Sequence, residues 1–141
     1  MKLLALDLGD KWIGSAIADP LGITCKPYKT IELEELEHFL NQTIKQEDIS
    51  TIIVGYPQTF ACKESEQTKK IVTLKETLEK KFSNVTWILW DERLSSKHAE
   101  QLKRTKSTDD KKKSHSIAAA FILQSYLDQQ AASRNEGNNN D

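Results

Sequence analysis

The chain has 141 residues, 38% apolar and 29% charged, with a formal net charge of −1. That is the length and composition of one folded globular domain, and it excludes both a disordered chain and a uniformly basic nucleic-acid binder. No run approaches the ~18 apolar residues that span a bilayer, and the start lacks the apolar stretch and small-residue cleavage site of a secretory signal, so no membrane partner and a cytosolic protein are expected.

Residues 3–8 (Leu-Leu-Ala-Leu-Asp-Leu) read as a strand that ends at Gly9. Residues 12–18 read as a second strand after a turn holding Gly9 and Asp10, and Asp19-Pro20-Leu21-Gly22 is a further turn signal. Residues 23–31 suit an edge strand, because Pro27 cannot donate to a central ladder. Residues 33–46 place Leu33, Leu36, Phe39, Leu40 and Ile44 at helical spacing. The β-branched run 51–55 predicts a strand buried on both faces, closed by Pro57. A helix is predicted over 64–82, a strand over 85–90 ending at Asp91-Glu92, and a short helix over 95–104. Residues 105–113 read as a polar loop, and 115–130 as a last helix with Ser114 as N-cap. The predicted order is β-β-β-α-β-α-β-α-α, an α/β fold. Its five-stranded mixed sheet has an antiparallel β1-β2-β3 meander, then parallel strands, with helices on both faces. Residues 1–130 form the domain, and the polar residues 131–141 form a disordered tail.

Charge is unevenly spread. Residues 32–48 are acidic, whereas 97–113 carry Lys97, Lys103, Arg104, Lys106, Lys111, Lys112 and Lys113 against three acids. A local polyanion site on a nearly neutral protein fits that pattern. Cys25 and Cys62 stand outside any paired spacing and read as reduced thiols.

Ligands of such a sheet gather at the carboxyl ends of its parallel strands. Asp7 lies near the end of the first strand, inside an apolar run where a carboxylate is costly unless it is paired or bound to a cation. Asp91 and Glu92 follow the last strand, and His115 opens the last helix. Carboxylates converging from different strands form an oxygen-rich site suited to Mg²⁺ or Mn²⁺. Two such ions at ~3.5–4 Å are one solution to phosphodiester hydrolysis. An Asp-x-Gly opening also begins the phosphate loops of actin-like ATPases, but 141 residues hold only one of their two lobes.

Four segments together resemble the YqgF family, also called RuvX. They are Leu6-Asp7-Leu8-Gly9-Asp10-Lys11-Trp12-Ile13-Gly14-Ser15-Ala16, Val54-Gly55-Tyr56-Pro57, Trp90-Asp91-Glu92-Arg93-Leu94-Ser95-Ser96, and the final-helix pattern from His115-Ser116-Ile117-Ala118-Ala119 to Leu127. They stand in the family's order and cover about residues 3–128. The resemblance implies an RNase H-like fold and a nuclease that matures the 5′ end of 16S ribosomal RNA, with an alternative as a Holliday-junction resolvase. It implies Asp7, Asp91, Glu92 and the position of His115 as catalytic and metal-binding residues, with Mg²⁺ or Mn²⁺ as cofactor, two ions in all. Lys11, Arg93, Lys97, Lys103, Arg104, Lys111, Lys112 and Lys113 are the expected phosphate contacts.

Three departures stand out. His115 replaces the family's Asp at the start of the final helix, Asp10 replaces its usual Thr, and Trp12 stands where a basic residue is common. A neutral histidine removes one negative charge from the site. A third reading is therefore an inactive RNA-binding module, and a fourth a protein-interaction role. The expected partner is precursor RNA, alone or on an assembling ribosomal particle, with branched DNA as the alternative. The expected state is a monomer or a weak homodimer.

Overall fold

The computed structural model describes the backbone of residues 2–9, 11–56, 66–91 and 108–138, and the side chains of 2–9, 11–55, 69–90 and 115–133. Strands β1 (Lys2–Leu8), β2 (Trp12–Ala18) and β3 (Cys25–Glu32) come first. Helix α1 (Leu36–Gln46), entered through a 3₁₀ turn at Leu33–Glu35, is followed by β4 (Ile49–Tyr56), α2 (Glu66–Lys81), β5 (Thr86–Asp91) and a long α3 (Thr108–Asn138). The sheet order is β3-β2-β1-β4-β5. β1 pairs antiparallel with β2 and parallel with β4; β2–β3 is antiparallel and β4–β5 parallel. The mixed sheet expected from the sequence is the one observed, and Pro27 sits in β3 at the sheet edge.

Strand alternation divides the core in two. Leu4, Leu6 and Leu8 of β1 point to the α1–α2 side, where they pack with Ile52 and Val54 of β4 and with Leu40 and Leu78 of the helices. Ala5, Ala16 and Ala18 point the other way, toward Ala119, Ile122, Leu123 and Leu127 of α3. Large aliphatic side chains fill the first face. On the second, alanines bring one helix close to the sheet. Each fully buried Leu or Ile contributes roughly 1.5–3 kcal/mol.

Among the described residues every buried side-chain nitrogen and oxygen has a hydrogen-bond partner. The Ser15 hydroxyl, fully buried, donates to the Lys29 carbonyl at 2.6 Å and accepts the Lys29 N–H at 2.9 Å. It sits where the β2–β3 register slips: Gly14 pairs with Thr30 but Ala16 with Pro27, so Tyr28 and Lys29 together oppose Ser15. That is a β-bulge, and Ser15 clamps it. The Trp90 indole N–H donates to Ser125 Oγ at 3.2 Å, and its ring meets Tyr126 edge-on at 5.3 Å, which docks β5 on α3.

Two sequence expectations change. The last helix starts at Thr108, not at 115, so Ser114 is interior rather than an N-cap, and residues 108–113 are helix rather than loop. Asp109 and Asp110 occupy the first turn, where carboxylates suit the positive end of the helix dipole, and Lys111–Lys113 follow as good helix formers. The helix also runs on to Asn138, although residues 131–141 read as a disordered tail. Ala131, Ala132 and Ser133 are exposed there, so helical hydrogen bonding rather than burial holds those three residues. The short helix predicted over 95–104 lies outside the described residues, as do Pro57 and Cys62. Among the described residues no helix is long and apolar enough to cross a membrane.

Candidate active site at the carboxyl end of β1

Asp7 belongs to the α3 side of β1. Its neighbours Leu6 and Leu8 are buried on the opposite face, and its own carboxylate keeps 20% of its exposure. In register it faces Gly14 of β2. Gly14 is the residue that lets α3 into the site. A Cβ there would overlap the His115 carbonyl group outright and come 2.6 Å from Ser116 N. The helix backbone therefore lies directly on β2 at Gly14, and the side chain of His115 is delivered beside Asp7. His115 Nδ1 stands 3.8 Å from Asp7 Oδ2, with 34% of the imidazole exposed. That separation is longer than a hydrogen bond. Gly9 tightens the same corner: a Cβ on it would sit 2.6 Å from the Trp12 carbonyl and 3.9 Å from His115 Cε1.

The sequence singles out Asp7 and His115 separately, and the fold brings them together. Asp91 closes β5, where its backbone pairs with Tyr56. Leu6, Val54 and Leu89 form one row across the sheet, so Asp7 is one residue and Asp91 two residues beyond it, toward the same end. Two strand spacings, about 10 Å, separate their chains. Lys11 is exposed beside this corner, with its ammonium 5.7 Å from the Trp12 ring centroid. Lys111, Lys112 and Lys113 lie on α3 within four residues of His115, about 6 Å along the axis. Glu92, Arg93, Lys97, Lys103 and Arg104 lie outside the described residues, as does Asp10.

Could this corner hold a divalent cation? Among the described residues no cluster of three ligands is formed. The donor chemistry of the pair suits part of one. For bonds of about 2.1 Å, octahedral ligands stand about 3.0 Å apart on an edge and about 4.2 Å across. At 3.8 Å Asp7 and His115 stand between those two spacings, so a cation would draw the side chains to one of them by a small rotation, and both groups reach solvent. A carboxylate with an imidazole suits Mn²⁺ better than it suits Mg²⁺, since imidazole is a softer ligand than oxygen.

Two supporting residues were not assigned a site role from the sequence. Gly14 is visible there as a motif glycine, but its contact with α3 is a tertiary fact. Ser15 gives no local signal, because a register slip is set by the partner strand.

Comparisons with known proteins identify the family and the fold. Residues 1–129 match the family model described as "RuvX: Holliday junction resolvase". A protein of Caldicellulosiruptor bescii named "Putative pre-16S rRNA nuclease" is 37% identical over 139 residues, covering 91% of this chain and 96% of its own. Two solved structures share the fold at low identity. One is T. thermophilus RuvC in complex with a Holliday junction substrate (TM-score 0.58, 10% identity, 93% and 96% of the two chains). The other is Fowlpox virus resolvase with Holliday junction DNA (TM-score 0.52, 15% identity, 92% and 99%).

Proposed function

The chain belongs to the RuvX family and has an RNase H-like fold, and on that premise we propose that it is a divalent-metal-dependent endonuclease that processes the 5′ end of precursor 16S ribosomal RNA. The observation that carries this reading is the convergence of Asp7 and His115, 3.8 Å apart, at the carboxyl end of the central strand. Asp7 and His115 would hold the cation together with Asp91 or Glu92, two ions being the expected number. A bound divalent cation supplies Lewis acidity and a water acidified toward neutral pH. The protein's own part is geometric. Gly14 fixes how close α3 lies to β1, and so fixes the donor pair. The imidazole of His115, where it is not a ligand, delivers a proton to the leaving 3′ oxygen. Lys11, Arg93 and the basic residues Lys97, Lys103, Arg104 and Lys111–Lys113 take phosphates. Such contacts supply affinity and register, and they weaken as salt rises.

The test is cleavage of labelled RNA spanning the 16S 5′ precursor junction in Mn²⁺ or Mg²⁺, with EDTA as control and a four-way DNA junction as competitor. Cut RNA that disappears in EDTA supports the proposal. Cutting of the junction alone supports the resolvase reading, which the matched family description favours. RNA binding with no cut in any metal supports the inactive module, for which the histidine at 115 argues.

A further inference from the structure

Trp12 is unexplained by the metal corner, yet it stands beside it. Even-numbered residues of β2 share the α3 face: Gly14 lies under the His115 backbone, and Ala16 and Ala18 pack against α3. Trp12 is the next residue of that row, two positions from Gly14 and so about 6.8 Å from it along the strand. A Cβ on Gly9 would come 2.6 Å from the Trp12 carbonyl oxygen and 3.9 Å from His115 Cε1, so the Trp12 backbone and the His115 ring border the same corner. The indole is half-buried, and the ammonium of exposed Lys11 lies over its ring at 5.7 Å. An ammonium keeps its hydration, so the ring face it covers borders solvent.

We propose that Trp12 is a stacking platform for an unpaired base one nucleotide from the scissile phosphate at the Asp7–His115 corner, which makes single-stranded RNA the substrate class of this site. The inference rests on the nuclease reading for its placement of the phosphate. A flat, half-buried ring edged by a cation is the arrangement that binds single strands, because every base has a π-face to stack. Sequence-specific and single-strand RNA recognition both use such aromatic faces, which a stacked duplex cannot offer its bases to. In the unbound protein Lys11 occupies the ring by cation–π attraction. When a base takes that face, the ammonium moves to the adjacent phosphate, so the two contacts exchange without stranding a charge.

The experiment follows tryptophan fluorescence of the full chain as a single-stranded RNA octamer is added in EDTA, with a blunt RNA duplex of the same sequence alongside. Trp12→Phe and Trp12→Ala are compared with the native chain, each checked by thermal melting. Trp87 and Trp90 remain as internal emitters in both variants. The octamer should quench the native chain, and the duplex should do so much less. Trp12→Phe should lose most of the quench while keeping most of the affinity, since a phenyl ring still stacks. Trp12→Ala should weaken octamer binding roughly tenfold, within the range of about 5- to 150-fold that one base–aromatic stack provides. In the cleavage assay its loss should fall mainly on KM. A quench that survives in Trp12→Phe, or octamer affinity unchanged in Trp12→Ala, would overturn the proposal. Because binding is read in EDTA, the two readings fail separately. Trp12-dependent quenching with no cleavage in any metal supports stacking and removes the nuclease. Cleavage with Trp12-independent quenching removes the platform alone.

Discussion

Two aspartates at opposite ends of β2 show how the same side chain becomes scaffold in one place and reagent in another. Asp19 closes the β2–β3 hairpin. Its carboxylate accepts hydrogen bonds from the Ile23 and Thr24 N–H groups at 3.1 and 2.8 Å and from the Thr24 hydroxyl at 2.6 Å. Those bonds, the Thr24 hydroxyl first, hold its pKa down at about 2. Asp7 lies at the other end, and among the described residues the side chain that approaches it is the imidazole of His115, beyond hydrogen-bond distance. Asp19 has used its lone pairs on its own loop. Asp7 faces a second potential cation ligand across a gap that leaves both groups open to solvent. A cavity of about 310 Å³ opens at the Asp19 end, lined in part by Lys2, Lys26, Cys25 and Glu47. There too the acids are committed: the Lys2 ammonium donates to Glu47 at 2.8 Å and holds its pKa down, and Asp19 is tied to Thr24. Burial, then the charges of Asp128 and Asp19, pushes the Cys25 thiol up to about 11, so it stays protonated and unreactive at neutral pH. The difference teaches that a count of charged residues around a cavity says less than a count of their uncommitted lone pairs.

The comparison can be broken most severely by exchanging the aspartates' fates. Asp7→Asn should reduce metal-dependent RNA cleavage at least about 100-fold, since even groups behind a metal ligand cost 10–100-fold when removed. Its thermal midpoint should stay close to that of the native chain.

Next in size is Gly14→Ala. The added methyl meets helix backbone, which cannot swing aside as a flexible side chain would. Overpacking of this kind costs about 1–3 kcal/mol. Urea unfolding should report that loss, and cleavage should fall with it because His115 is displaced from Asp7.

His115→Asp sharpens the comparison rather than breaking it. It adds a second carboxylate to the corner, and the Mg²⁺ needed for half-maximal cleavage should fall, whereas His115→Ala should raise it. Equal metal requirements in the two variants would detach His115 from the cation.

The smallest effect belongs to Asp19→Asn. A carboxylate whose folded pKa lies below its unfolded value stabilises the fold above the unfolded pKa, and the contribution is lost as pH falls through the folded one. For Asp19 that window runs from the ordinary value of 3.8 down to about 2. The melting-temperature gap between native chain and Asp19→Asn should be full above pH 4 and close toward pH 2. Cleavage by this variant at neutral pH should match that of the native chain.

Much of this architecture was legible before the fold was in view, and the exceptions have physical reasons. β2 spans the residues that its apolar pattern indicates, 12–18, because both its flanks are turn signals. Asp7 stood out because a carboxylate inside a buried strand needs a reason. The start of α3 was not legible: Thr-Asp-Asp-Lys-Lys-Lys has no apolar periodicity, and only the dipole argument marks it as a helix entry. The meeting of Asp7 with His115 joins residues 108 positions apart, a distance that no local pattern encodes. Gly14 decides that meeting through space left empty, which a sequence shows only as a small residue.

The most direct test of the central claim is a Mn²⁺ titration by isothermal calorimetry on the folded native chain, Asp7→Asn and Asp19→Asn. The account predicts binding by the native chain, the same affinity in Asp19→Asn, and at least tenfold weaker binding in Asp7→Asn. Equal Mn²⁺ affinity in all three would contradict it, because Asp7 would then be no more a ligand than the aspartate that closes the hairpin.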